Sequence, residues 1–111
     1  MIVNDHATYI ELVDEYNDSK SFADYLERVV PERYSENNVV VSLAKYAEIT
    51  LGHLLHFLNV SNTHRAGKKS FVLVCDRVEI DDIPMEMIVV PTLQEAGDIV
   101  EMEEIERDLG F

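Results

Sequence analysis

Three of the four histidines in this sequence lie in one segment, which makes them the first candidates for metal or acid–base chemistry. His53 and His56 are three residues apart, and His64 follows eight residues later. A zinc ion needs three or four ligands at about 2–2.3 Å. In a helix, His53 and His64 would be about 16 Å apart, so the three imidazoles cannot share one ion. We therefore predict a solvent-facing stripe of histidines, with no metal and no other cofactor.

The other reactive side chains form no recognisable catalytic set. Cys75 has no histidine near it in sequence, and Asp81 and Asp82 lack the spacing of a calcium loop. The glycines are isolated, so the sequence contains neither a Gly-rich phosphate loop nor a Gly-x-Ser-x-Gly elbow. We predict that the protein is not an enzyme. The alternative, a small enzyme or ligand binder, would use the strand ends near Thr50, Cys75 and Asp76, where open α/β sheets bind ligands.

The charge of the chain restricts its partners. The formal net charge is -13, which disfavours nucleic acid and favours a protein partner that is itself basic. The one cluster of cations, Arg65 with Lys68 and Lys69, is interpreted either as a solvated loop or as a local anion contact. A single cysteine, no long apolar run and no secretory signal predict a cytoplasmic protein without a membrane span.

Two continuous apolar runs, residues 39–43 and 71–75, predict parallel strands that are covered on both faces. Between them, residues 50–64 carry four leucines at helical spacing, which predicts a crossover helix with Thr50 as its N-cap. The four leucines of this predicted stripe are Leu51, Leu54, Leu55 and Leu58.

The flanking segments complete an α/β prediction for residues 1–111 as a single domain. Residues 1–16 favour an antiparallel hairpin at the sheet edge. Ser21 with Asp24 resembles a capping box at the start of the next helix, and Pro31 ends or kinks that helix. Val78 and Ile80 are candidates to extend a strand. The whole pattern predicts a mixed, mainly parallel sheet of four or five strands with three or four helices.

The last helix, between the Thr92 cap and Gly110, has two apolar faces. Its first half places Leu93, Ala96 and Val100 on one side, and its second half places three apolar residues nearly opposite. Either the helix bends near Glu101, or its second half packs elsewhere. The second set either folds back on the protein's own surface or contacts a protein partner, and a homodimer is a third alternative. The partner-binding candidates are Met102, Glu103, Glu104, Ile105, Leu109 and Phe111, in the acidic segment 101–111.

Three segments resemble the STAS domain, the fold of anti-sigma-factor antagonists. Residues 39–43 look like a strand of that family, residues 49–54 (Ile-Thr-Leu-Gly-His-Leu) fall where the family has Ile-Asp-Ser-Ser-Gly-Leu, and residues 89–96 look like its last strand and the start of its last helix. The resemblance implies a non-catalytic regulatory module that binds a protein. Leu51 and Gly52 occupy the family's two serine positions, which leaves Thr50 as the candidate phosphate acceptor or ligand-end residue.

The chain also resembles short bacterial proteins that often carry the label ribonuclease Z. The similarity lies in residues 69–72, 90–96 and 101–111. That enzyme has a His-x-His-x-Asp-His metal motif, and no such motif surrounds the histidines of this chain. We therefore interpret the resemblance as implying at most an association with that enzyme.

Overall fold

The three valines at residues 39–41 and the run from Phe71 form the centre of a mixed five-stranded sheet in the order β1-β2-β3-β4-β5. A computed structural model describes residues 1–110, without the side chain of Ile80. β1 pairs antiparallel with β2, and all later neighbours are parallel. The α/β class, with four helices, agrees with the sequence prediction. In chain order the elements are β1 Ile2–Asp5, β2 Ile10–Val13, α1 Ser19–Arg33, β3 Val39–Ser42, α2 Leu51–Leu55, α3 Leu58–Ala66, β4 Phe71–Val74, a 3-10 turn Ile80–Asp82, β5 Ile88–Val90 and α4 Leu93–Asp108.

Successive side chains of a strand point to opposite faces, and this alternation divides the core in two. Val39 and Val41 of β3, with Phe71 and Leu73 of β4, face a large hydrophobic cluster. Helices α1, α2 and α3 cover this face with residues such as Leu26, Leu54 and Phe57. We call it the three-helix face.

The opposite face is covered by α4 and is smaller. Its fully or nearly buried members are Val40, Val72 and Val74 from the sheet, with Ala96 and Val100 from α4. Tyr9 and Ile88 pack at its margins. We call it the α4 face. No helix in the described residues is long and apolar enough to cross a membrane.

The crossover between β3 and β4 is two helices, whereas the sequence predicted one. The chain makes a tight turn at His56 and Phe57, where Phe57 N–H donates to the carbonyl of Leu54 at 3.0 Å. The turn rotates α3, so that Phe57 and Val60 follow Leu54 into the core while Leu55 is exposed. The predicted leucine stripe was therefore only partly right, because a break in a helix shifts its apolar face.

Two further predictions about local structure were wrong, and so was the predicted helix end at Pro31, where a kink stays a prediction. Helix α1 is capped by Asp18, whose carboxylate accepts from Ser21 N–H at 3.1 Å, and not by Ser21. It continues two residues past Pro31 to Arg33, because the carbonyl that Pro31 leaves without a donor belongs to the exposed Glu27. Val78 and Ile80 do not extend a strand, because β4 ends at Val74, Val78 lies in a bend and Ile80 begins the 3-10 turn.

Candidate functional site

Helix α4 is one continuous helix from Leu93 to Asp108, with both ends formed as the sequence predicted. Thr92 Oγ1 accepts from Glu95 N–H at 3.1 Å, and Gly110 has a φ of 84°, the left-handed geometry that commonly follows a helix. The sequence left open whether the helix bends near Glu101 or its second half packs elsewhere, and the structure shows the latter. The second half does not pack on the valines of the sheet. It contacts polar groups at the amino ends of the strands.

Asn38 is the centre of this polar packing. It is buried immediately before β3, and its amide nitrogen donates to Thr8 O at 3.0 Å and to Glu104 Oε1 at 2.6 Å. Its amide oxygen accepts from the backbone N–H of the buried Ser70 at 2.9 Å and from Arg107 Nη2 at 3.3 Å. One side chain thus connects the residues before three parallel strands to the second half of α4.

A second contact ties α4 to the helix on the other side of the sheet. Arg65 of α3 donates from both Nη atoms to the two carboxylate oxygens of Glu103, at 3.3 Å and 3.2 Å. Paired bonds of this kind fix orientation as well as distance. Arg65 therefore has an intramolecular anion, and Lys68 and Lys69 lie beside it on the surface.

The opposite side of this half-helix is apolar and exposed. Met102 is 49% exposed, Ile105 60% and Leu109 67%, so these residues do not fold back on the protein's own surface. Their i, i+3, i+7 spacing forms one stripe on the helix. Exposed carboxylates surround the stripe, and the only cation of the helix, Arg107, is turned inward to Asn38 and Ser70. The flanking acids are Glu95, Asp98, Glu101, Glu106 and Asp108.

The structure separates the predicted partner-binding residues into two sets. Met102, Ile105 and Leu109 form the stripe, whereas Glu103 and Glu104 point to the protein body and bind Arg65 and Asn38. We therefore leave the two glutamates out of the candidate surface. Phe111, the remaining predicted residue, lies outside the described residues.

Thr50 caps α2, as its position in the sequence predicted. Its Oγ1 accepts from His53 N–H at 3.4 Å, and the His53 ring accepts from the Thr50 backbone N–H at 3.0 Å. The side chain is exposed. Its role as a phosphate acceptor stays a prediction.

The histidine stripe was predicted incorrectly at His64. Its ring is buried against the edge of Phe71, and Nε2 donates to Asn37 O at 2.7 Å. Burial lowers the pKa of His64, the hydrogen bond to Asn37 raises it and the charge of Lys69 lowers it, with a net lowering. Cys75 is a buried free cysteine. Across residues 1–110, no three His, Cys, Asp or Glu side chains group as a metal site would require.

Two of the buried polar residues, Asn38 and Asp14, were not singled out from the sequence. Asn38 directly precedes the predicted strand at residues 39–43, and Asp14 lies in the predicted hairpin. Both are buried, with 4% exposure each. Their position in the sequence could have identified them, because each is a polar residue directly beside an apolar strand, where the chain enters or leaves the core.

Comparison with known proteins does not assign the chain. It matches no protein-family model, and none of the curated proteins with which it was compared is similar to it.

Proposed function

We propose that the protein is a non-catalytic binding module whose α4 stripe, defined as Met102, Ile105 and Leu109, docks a basic amphipathic helix of a protein partner. The observation that carries the proposal is the division of α4 between two sides. One side is fixed to the body by Val100, Glu103 and Arg107, so the other is presented in one orientation without needing to be ordered on binding.

The spacing and chemistry of the stripe specify the partner. Apolar residues at i, i+3 and i+7 match the anchor pattern by which helices recognise each other or a groove. Met102 adds an adaptable side chain, which is common on binding surfaces. The surrounding carboxylates would attract lysines and arginines on either side of a partner's apolar stripe. They would repel a second copy of this chain, whose net charge is also -13, so a basic partner is favoured over a homodimer.

We further propose that this module is STAS-like and regulatory. The resemblance is supported by an antiparallel pair at the sheet edge followed by parallel strands, and by the position of Thr50 at the start of a crossover helix. In this proposal α4 provides the contact surface, and any modification of Thr50 would act at the opposite, carboxyl ends of the strands.

A synthetic helix can test the docking surface without knowledge of the natural partner. The probe is a short peptide of Leu and Lys with its leucines on one helical face, and its scrambled version is the control. We expect the amphipathic peptide to shift the amide NMR signals of residues 98–110 and to bind more weakly as salt is added. Ile105→Ser should weaken binding by about tenfold, because burying one such side chain contributes about 1.5 kcal/mol or more.

The matched control is Leu55→Ser, which removes another exposed apolar side chain from a different helix. It should leave the affinity unchanged. Equal weakening by the two variants, or equal binding of the scrambled peptide, would mean that net charge alone attracts the probe. Sedimentation of the free protein as a dimer that Ile105→Ser dissociates would instead assign the stripe to a second copy.

A further inference from the structure

A concave site that the α4 proposal does not use lies at the carboxyl ends of the parallel strands. It is a cleft of about 520 Å³ between the end of β2 and the first turns of α1. We call it the carboxyl-edge cleft, and its walls include Met1, Asp14, Tyr16, Asp18, Phe22 and Tyr25. Its size is in the range of small-molecule sites, and this edge of an open α/β sheet is where such sites occur.

The cleft contains a buried carboxylate with neutral donors around it. Asp14 Oδ2 accepts from the Tyr46 hydroxyl at 2.8 Å and from Asp18 N–H at 3.4 Å, and Oδ1 accepts from Tyr16 N–H at 3.0 Å. Burial, followed by this bond to Asp14, raises the pKa of Tyr46, so that the phenol stays a neutral donor. The two oxygens of a carboxylate accept about four hydrogen bonds, so Asp14 keeps acceptor capacity.

No side-chain cation in the described part of the chain pairs with this carboxylate. Lys45 comes near, but its ammonium donates to the backbone oxygen of Asp14 at 2.6 Å. The amino group of Met1 is paired with Glu15 at 2.8 Å. A buried carboxylate without a cationic partner is uncommon, because removing its charge from water is costly. A cation that enters the cleft would supply the missing partner.

Aromatic rings give the cleft a second means of attracting a cation. Tyr16 is 75% exposed beside the buried Phe22, and Tyr25 continues the wall along α1. The faces of such rings attract organic cations. Tyr25 already has the guanidinium of Arg28 at 5.7 Å from its ring centre, so Tyr16 offers the freer ring. Carboxylates with aromatic walls suit an amine that carries an apolar body, and they do not suit an anion.

We propose that the carboxyl-edge cleft binds an organic ammonium, with Asp14 as its ion-pair partner, Tyr16 as its aromatic cover and Asp18 as a second negative charge. The ligand is either a small free amine or the side chain of a lysine in a peptide. Both present the same group, so the experiment includes one probe for each source.

Titration followed by NMR and calorimetry tests the site. The probes are 2-phenylethylamine, its neutral isostere 2-phenylethanol, and N-acetyl-lysine methylamide. We expect 2-phenylethylamine or the lysine derivative to shift the amides of Tyr16, Ser21 and Tyr25, and 2-phenylethanol not to bind. Whichever of the two amines binds more tightly identifies the source. Equal binding of 2-phenylethylamine and 2-phenylethanol, or no binding of either amine, would overturn the proposal.

Two variants and a control separate Asp14 from the general acidity of the chain. Asp14→Asn should weaken amine binding by about tenfold or more, because it removes the ion pair. Asp24→Asn makes the same change in net charge at an exposed position on α1 and should have no effect. If Asp14→Asn does not fold, Tyr16→Ala replaces it, since this ring is mostly exposed. Unchanged affinity in the folded Asp14→Asn or Tyr16→Ala protein would contradict the assignment.

Discussion

The two faces of the sheet are built in different ways. The three-helix face is filled by large apolar side chains, with Phe71 and Leu73 from the sheet meeting Phe57 and Leu54 from the helices. On the α4 face the buried apolar residues of the sheet are all valines, and they pack with Ala96 and Val100 from one helix. Beyond Val100, hydrogen bonds and one ion pair replace apolar contact.

The difference shows how one domain can provide both a stable core and an exposed apolar surface. Apolar burial on the three-helix face supplies most of the driving force for folding. The α4 face needs only enough contact to hold one helix in place. Directional hydrogen bonds provide this contact without using the apolar residues in the second half of α4. Met102, Ile105 and Leu109 are therefore left on the outside.

The largest effect on the free energy of unfolding is expected at Asn38, because the polar contacts of α4 depend on this side chain. Asn38→Ala removes the acceptor of the buried Ser70 N–H and the donors to Thr8 and Glu104. Each buried group left without a partner costs about 1–3 kcal/mol, so the free energy of unfolding should fall by about 3 kcal/mol. Urea denaturation measures the free energy of unfolding. The control is Asn37→Ala, at the neighbouring exposed position, which should change this free energy by less than about 0.5 kcal/mol. Similar losses in both variants would mean that Asn38 does not anchor the helix.

A pair of adjacent valines compares the two faces directly. Val40 and Val41 are both fully buried, but Val40 faces α4 and Val41 faces the three helices. We expect Val41→Ala to lower the free energy of unfolding by about 2–3 kcal/mol and Val40→Ala by about 1–2 kcal/mol, because a single helix can shift to close a cavity more easily. Equal losses, or the reverse order, would show that the two faces pack equally tightly.

The smallest effect on stability is expected at His64, whose pKa is lowered by burial in the three-helix face. Because the unfolded chain binds this proton more readily, His64 should reduce stability as the pH falls below about 6.5, the ordinary pKa of histidine. Above that pH both states are neutral at this position, and the contribution vanishes. Urea denaturation from pH 7.5 to 5.5 should therefore show a shallower pH dependence in His64→Asn than in the wild type. Parallel curves would mean that His64 does not contribute to the pH dependence.

The main elements of the fold were predictable because strand and helix periodicity are local properties of a sequence. The continuous apolar runs at β3 and β4 indicated strands covered on both faces, and the Thr92 and Gly110 signals gave both ends of α4. The break at Phe57 was not predictable, because it depends on which side chain fits the core after Leu54. His64 was misplaced for the same reason, since the break rotates the helix on which it lies.

The sequence by itself determined that α4 has two incompatible apolar faces and that acidic residues surround the second one, because both follow from helical spacing and residue type. Only the tertiary structure decided which face is buried. That choice depends on Asn38 and Arg65, which are distant in sequence and reach α4 only once the strands are aligned. The carboxyl-edge cleft has the same origin, since Asp14 and Tyr46 are 32 residues apart and meet only at the edge of the folded sheet.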